Sequence, residues 1–235
     1  MDVLIDGYAN ESRGKMNTTS FLSEAMWNRA LAEFLGTALM VGIGCGSIAF
    51  TDSSLLISIA FGFAVTLAIL IFGPISGAHI NSAVTIAFWI HGDLERKAVI
   101  PYIVAQLLGG IFAAVVIGPL GPTVVADNVS IGLASIIEVS ITFLLMASIL
   151  VIISKTDNRF AVSSLVGLSV TILAFIFGRF TGASMNPART LGPNLISGEL
   201  DLLWMYFLTC ITGASLASLY FNRLKQNPVS ANDPD

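Results

Sequence analysis

Hydrophobic positions in this chain come in long unbroken runs. They do not form the spaced stripes of a water-facing helix or the alternation of a half-buried strand. Phe34 to Thr51, Ser53 to Gly92, Ala98 to Ala126, Phe160 to Gly178 and Leu202 to Asn222 carry no Asp, Glu, Lys or Arg, and Ile131 to Ser154 is interrupted only by Glu138. A bilayer crossing needs about 20 mostly apolar residues, because the hydrocarbon core is roughly 30 Å thick. The second run is too long for one crossing and too short for two joined by an ordinary loop. The pattern predicts six full spans and two apolar remnants, about 81–91 and about 186–196, each after a glycine-containing turn. Each remnant has the length of a half-crossing. Non-helical backbone at membrane depth survives only where protein or a water-filled cavity satisfies it, so both remnants are expected to line a pore.

Composition agrees with the pattern. Only 11% of the chain is Asp, Glu, Lys or Arg and 55% is hydrophobic, whereas a soluble domain carries about 25% charged residues. The net charge of -4, with no basic block, argues against a nucleic-acid partner. Of the 11 basic residues, all but Arg179 and Arg189 fall in the termini or in the loops after the second and fourth spans. By the positive-inside rule these mark the cytoplasmic face. Both termini are thus expected in the cytoplasm, and the protein in a plasma (inner) membrane. Residues 1–25 form a polar N-terminal tail without the pattern of a cleavable signal peptide, and 223–235 form a C-terminal tail. Cys45 and Cys210 sit inside apolar runs and read as small buried hydrophobes. His91 reads as a solvated helix-end residue.

The chain repeats itself. Ser76-Gly-Ala-His-Ile-Asn-Ser-Ala-Val-Thr85 aligns with Thr181-Gly-Ala-Ser-Met-Asn-Pro-Ala-Arg-Thr190, and the same offset carries Glu33 onto Glu138 and Gly62 onto Gly167. Each unit, about 26–125 and 131–222 within a domain of 26–222, holds three spans. An odd number turns the second unit upside down, an inverted repeat whose functional site lies near the midplane. Asn is a favoured N-cap, and Pro is favoured at the first helical position. Each box therefore starts a half-membrane helix. Two such helices entering from opposite faces bring their positive dipole ends together at the midplane, beside the amide donors of Asn81 and Asn186. Arg189 is an arginine within an apolar stretch, which marks function by default.

Ala32-Glu-Phe-Leu-Gly-Thr37, Ser76-Gly-Ala-His-Ile-Asn81, Ala83-Val-Thr85 and Gly182-Ala-Ser-Met-Asn-Pro-Ala-Arg189 together resemble the aquaporin, or major intrinsic protein, family over about residues 25–222. One departure is Ser82, where the family usually has Pro. The resemblance implies an all-α membrane fold of six transmembrane helices plus two half-membrane helices in an inverted 3+3 repeat, assembled as a homotetramer with one pore per subunit. It places Asn81 and Asn186 at the pore midplane. It makes Phe61, Ala174, Ala183 and Arg189 the selectivity filter, and His79 and Ser184 pore lining. It gives Glu33 and Glu138 a structural role, accepting backbone N–H bonds from the loops that carry the boxes. Water-selective members usually have His at the Ala174 position, so two alanines imply a wider, aquaglyceroporin-like filter. Glycerol-facilitating members usually have Asp where this chain has Thr190 and Pro-Leu where it has Tyr206-Phe207, which points the other way.

These readings predict a passive channel for water and small uncharged solutes, glycerol and urea among them, that excludes protons and ions. The alternatives are a strictly water-selective pore, an ion-coupled transporter and a closed junction protein. No Ser–His–acid set, metal cluster or phosphate loop supports an enzyme, and no cofactor is expected. Gly36, Gly62, Gly109, Gly110, Gly167 and Gly213 read as close helix-packing positions.

Overall fold

The computed structural model describes residues 25–226, and the tails beyond them lie outside the described residues. Among the described residues eight helices follow one another: α1 (Ala25–Ala49), α2 (Ser54–Ser76), α3 (Ser82–His91), α4 (Arg96–Ile117), α5 (Ile131–Lys155), α6 (Arg159–Thr181), α7 (Pro187–Ser197) and α8 (Leu203–Gln226). Six of them, α1, α2, α4, α5, α6 and α8, are long and apolar enough to cross a membrane. The short α3 and α7 occupy the two remnants. Every backbone polar group inside hydrocarbon needs an internal partner, which a helix supplies along its whole length.

Two boundaries differ from the sequence pattern, each for a stated reason. The first helix already includes Ala25, the first described residue, well before the charge-free run. It tolerates Arg29 because Nε donates to the Tyr102 hydroxyl (2.7 Å) and Nη1 to Glu95 (2.7 Å). The third span stops at Ile117 although the apolar run continues to Ala126. Gly118 and Gly121 take positive φ values of 79° and 68° there, and Pro119 and Pro122 donate no backbone bond. The released segment folds back over the end of α7, where Asn194 clamps Thr123 through both its backbone groups (2.8 Å each).

Helices approach closely where side chains are missing. A Cβ on Gly62 of α2 would collide with the Gly167 carbonyl of α6, and the reverse holds for Gly167. Gly109 of α4 lies against the Phe34 carbonyl of α1, and Gly213 of α8 against the Val139 carbonyl of α5. Gly110 packs on the Ala188 carbonyl of α7; Gly192 of α7, absent from the sequence reading, returns to the Gly110 backbone. Gly36 instead faces the Ile80 side chain. Contacts pair α2 with α6, α3 with α8 and α7 with α4, a pattern that maps onto itself when the halves are exchanged. His91 is not solvated: its side chain is only 4% exposed, and Nε2 accepts from Lys225 Nζ at 2.7 Å.

Candidate functional site

The polypeptide between α2 and α3, and its counterpart between α6 and α7, leaves helical geometry at a glycine. Gly77 (φ 88°) and Gly182 (φ 74°) cap their helices in the left-handed region. Ala78, Ile80, Ala183 and Met185 then also take φ values of 44–52°. For residues with a Cβ this conformation costs about 1–2 kcal/mol each, so something must hold it.

Two buried carboxylates do. Glu33 accepts from the Ser76 hydroxyl (2.6 Å), His79 N (2.9 Å), Ile80 N (2.6 Å) and Gln106 Nε2 (2.8 Å). Glu138 accepts from the Thr181 hydroxyl (2.7 Å), Ser184 N (2.9 Å) and Met185 N (3.1 Å), with the Cys210 thiol at 3.8 Å. A phenol closes each set, Tyr102 donating to the Ser76 carbonyl and Tyr206 to the Thr181 carbonyl, both at 2.7 Å.

Each box then starts its half-helix. Asn81 Oδ1 accepts from Ala83 N (2.9 Å), and Asn186 Oδ1 from Ala188 N (2.9 Å). The amide nitrogens cross over. Asn81 Nδ2 donates to the Met185 carbonyl and Asn186 Nδ2 to the Ile80 carbonyl, each at 2.8 Å. The two helix N-termini therefore meet, and each amide, with two N–H groups, spends one on the opposite loop. The second N–H of each amide is left for the cavity that both residues border.

Asn81, Asn186, Phe61, Ala174, Ala183, Arg189, His79 and Ser184 all border one cavity of about 140 Å³. Arg189 is held at one end of it. Its Nη1 donates to the Gly121 carbonyl (2.7 Å), and its guanidinium carbon lies 4.9 Å from the centre of the Phe61 ring. Ala174 and Ala183 contribute only methyl groups to the same lining. Along the rest, the walls are mainly aliphatic, Val65, Ile69, Leu145, Ile149 and Val166 among them. His79 stacks on Phe88 with ring centres 4.6 Å apart, and its Nδ1 lies 3.2 Å from the Thr85 hydroxyl. The Ser184 hydroxyl turns away from the lumen to Thr190 (2.6 Å) and Cys210 (3.5 Å). Thr190 is buried there, bonded also to Thr123 (3.0 Å). Cys210 is accordingly part of a polar cluster, not a plain apolar filler.

The sequence reading missed Tyr102, Gln106, Thr123, Asn194, the Gly121 carbonyl and, though it named Tyr206, that residue's bond to the loop. Tyr102, Gln106 and Tyr206 had a signal. Shifting the repeat offset by one residue carries Tyr102 onto Tyr206, Gln106 onto Cys210 and Gly109 onto Gly213. The others had none, because a carbonyl aimed by two glycines and two prolines leaves no trace in hydropathy.

Comparison with known proteins adds the decisive observation. The family model of the major intrinsic proteins matches residues 20–221. The chain belongs to that family. Among similar proteins, Aquaporin-4 of Mus musculus is 35% identical over 218 residues, 85% of this chain and 68% of that protein. The Glycerol uptake facilitator protein-like 6 of Lactiplantibacillus plantarum is 34% identical over 202 residues, 80% of this chain and 94% of that one. The X-ray structure of the aquaglyceroporin from Plasmodium falciparum superposes with a TM-score of 0.76 over 87% of this chain and 97% of that chain, and at 24% identity it shows the shared fold. This major intrinsic protein is therefore an integral, multi-pass membrane channel, passive and not an enzyme.

Proposed function

We propose that the channel conducts water and small uncharged solutes, glycerol and urea among them, and excludes protons and ions. The observation that carries this reading is the end of the cavity at Arg189, where Phe61 supplies one aromatic wall and Ala174 and Ala183 supply only methyls. A pore is as selective as its narrowest ring, through the ring's width and its hydrogen-bonding groups. Glycerol rests its carbon edge on Phe61 and turns its hydroxyls to the free donors of Arg189. A cation meets the guanidinium at that end and, at the midplane, two helix N-termini and two amide donors, all repelling positive charge. The same reading has both termini cytoplasmic, a plasma-membrane location and a homotetramer with one pore per subunit. A strictly water-selective pore is the second reading, favoured by Thr190 after the arginine and by Tyr206-Phe207.

Stopped-flow light scattering on proteoliposomes under water, glycerol and urea gradients separates the two. The proposal expects flux of all three. Ala174→His together with Ala183→Thr should abolish glycerol flux while water flux persists. Exclusion of glycerol and urea by the unmodified chain selects the water-only pore. Glycerol flux unchanged in the double variant removes these positions from the filter.

A further inference from the structure

An apolar groove of about 760 Å³ runs down the outer surface between α1 and α4, away from the central cavity. Trp27, Leu31 and Phe34 line one bank, and Ile100, Val104 and Leu108 the other. Trp27 is 75% exposed and Ile100 67%. On α4 the apolar side chains recur every fourth residue, and the next position toward the helix start on that stripe is Arg96. One turn of helix rises about 5.4 Å, so Arg96 to Leu108 spans about 18 Å, against about 15 Å for one leaflet's hydrocarbon.

The groove ends in positive charge. Arg29, Arg96 and Lys97 gather there beside the Glu95 carboxylate, which takes Arg29 at 2.7 Å and Lys97 at 3.1 Å. Asp93 turns toward His91 instead (3.9 Å). Arg96 is exposed and has no ion pair among the described residues. Trp27, in the groove lining with Ile100, has the amphipathic ring favoured at the level of lipid headgroups.

We propose that this groove is a site for one anionic glycerophospholipid, with an acyl chain along α1 and α4 and the phosphate at Arg96. Length, apolarity and charge all match that occupant, and a zwitterionic headgroup would forgo the net attraction. A basic side chain at the surface favours an anionic lipid by about fivefold.

Trp27 is the built-in reporter. With Trp89→Phe and Trp204→Phe, the full chain is reconstituted in phosphatidylcholine vesicles containing either brominated phosphatidylcholine or brominated phosphatidylglycerol, and quenching of Trp27 is titrated. The brominated phosphatidylglycerol should quench as though enriched about fivefold at the groove. Arg96→Gln should bring the two lipids to parity, while Lys155→Gln, at the end of α5, should leave the preference intact. Equal quenching by both lipids in the parent overturns the proposal. So does protection from both, which would mean that protein, a second copy or residues 1–24, covers the groove.

Discussion

The two halves share a frame and differ in what hangs from it. Both hold a strained loop by a buried glutamate, a hydroxyl, two backbone N–H groups and a tyrosine, and both start a half-helix with asparagine. The variable positions of that frame are where the two sides of the cavity part company. His79 stands opposite Ser184, Val84 opposite Arg189, Ile69 opposite Ala174 and Gln106 opposite Cys210. The frame is the part that must repeat, because either loop collapses without it. Chemistry is free to be one-sided, and the guanidinium is present in one half only.

The halves also differ in polish. Buried oxygens without a partner occur at Thr37, Ser82 and Gln106 of the first half. In the second half the matching positions are Thr142, which donates to the Glu138 carbonyl at 2.7 Å, and Pro187 and Cys210, which demand less.

Removing the frame should have the largest effect. Each buried donor left unpaired costs about 1–3 kcal/mol. Glu33→Ala strands four donors and Glu138→Ala three strong ones. Both variants should lose more than about 3 kcal/mol, and Glu33→Ala the more of the two by thermal unfolding in detergent. Equal losses would show that the Gln106 bond adds nothing.

Making the halves alike at the filter comes next. Arg189→Val copies Val84 and removes the one-sided charge. Proton or cation leak into proteoliposomes loaded with a pH-sensitive dye should rise at least about tenfold, equivalent to about 1.4 kcal/mol of barrier. An unchanged leak would assign the whole barrier to the half-helix dipoles.

Ser82→Pro copies the second box into the first. It removes a buried, unpartnered hydroxyl and restricts the unfolded chain at a first helical position, where proline is favoured. Stability should rise by about 0.4–1 kcal/mol with water flux unchanged. A loss would mean that the hydroxyl has a partner in the membrane.

The smallest effect lies outside the membrane. Arg29 and Lys97 hold the Glu95 carboxylate below its ordinary pKa of 4.5. A lowered folded pKa contributes stability above the ordinary value and loses it as pH falls through the folded one. At 42% side-chain exposure this surface pair is worth no more than about 1 kcal/mol. Glu95→Gln should therefore lower the unfolding midpoint slightly at pH 7, and the difference should shrink as pH drops under 4.5 and vanish once it lies below the lowered folded value. No change at pH 7 would leave the first half without its external brace.

Spans and half-helices were legible because long apolar runs and capping residues are local signals. The repeat was legible because glycine, asparagine and glutamate mark geometry that few other residues replace. The turn of Ser184 away from the lumen was not, since a hydroxyl's direction depends on Thr190 and Cys210, packed against it from two other helices. Nor was the crossing of the asparagine amides, a bond between residues 104 and 106 positions apart.

That crossing sets a waiting time. Ribosomes add roughly 5–20 residues per second, so the second loop follows the first by about 5–20 s. Until it arrives, the Asn81 Nδ2 group and the Ile80 carbonyl lack the partners that the second half supplies. The first three spans and their half-helix therefore enter the membrane as an unfinished object, closed only when the second half locks on from the opposite face.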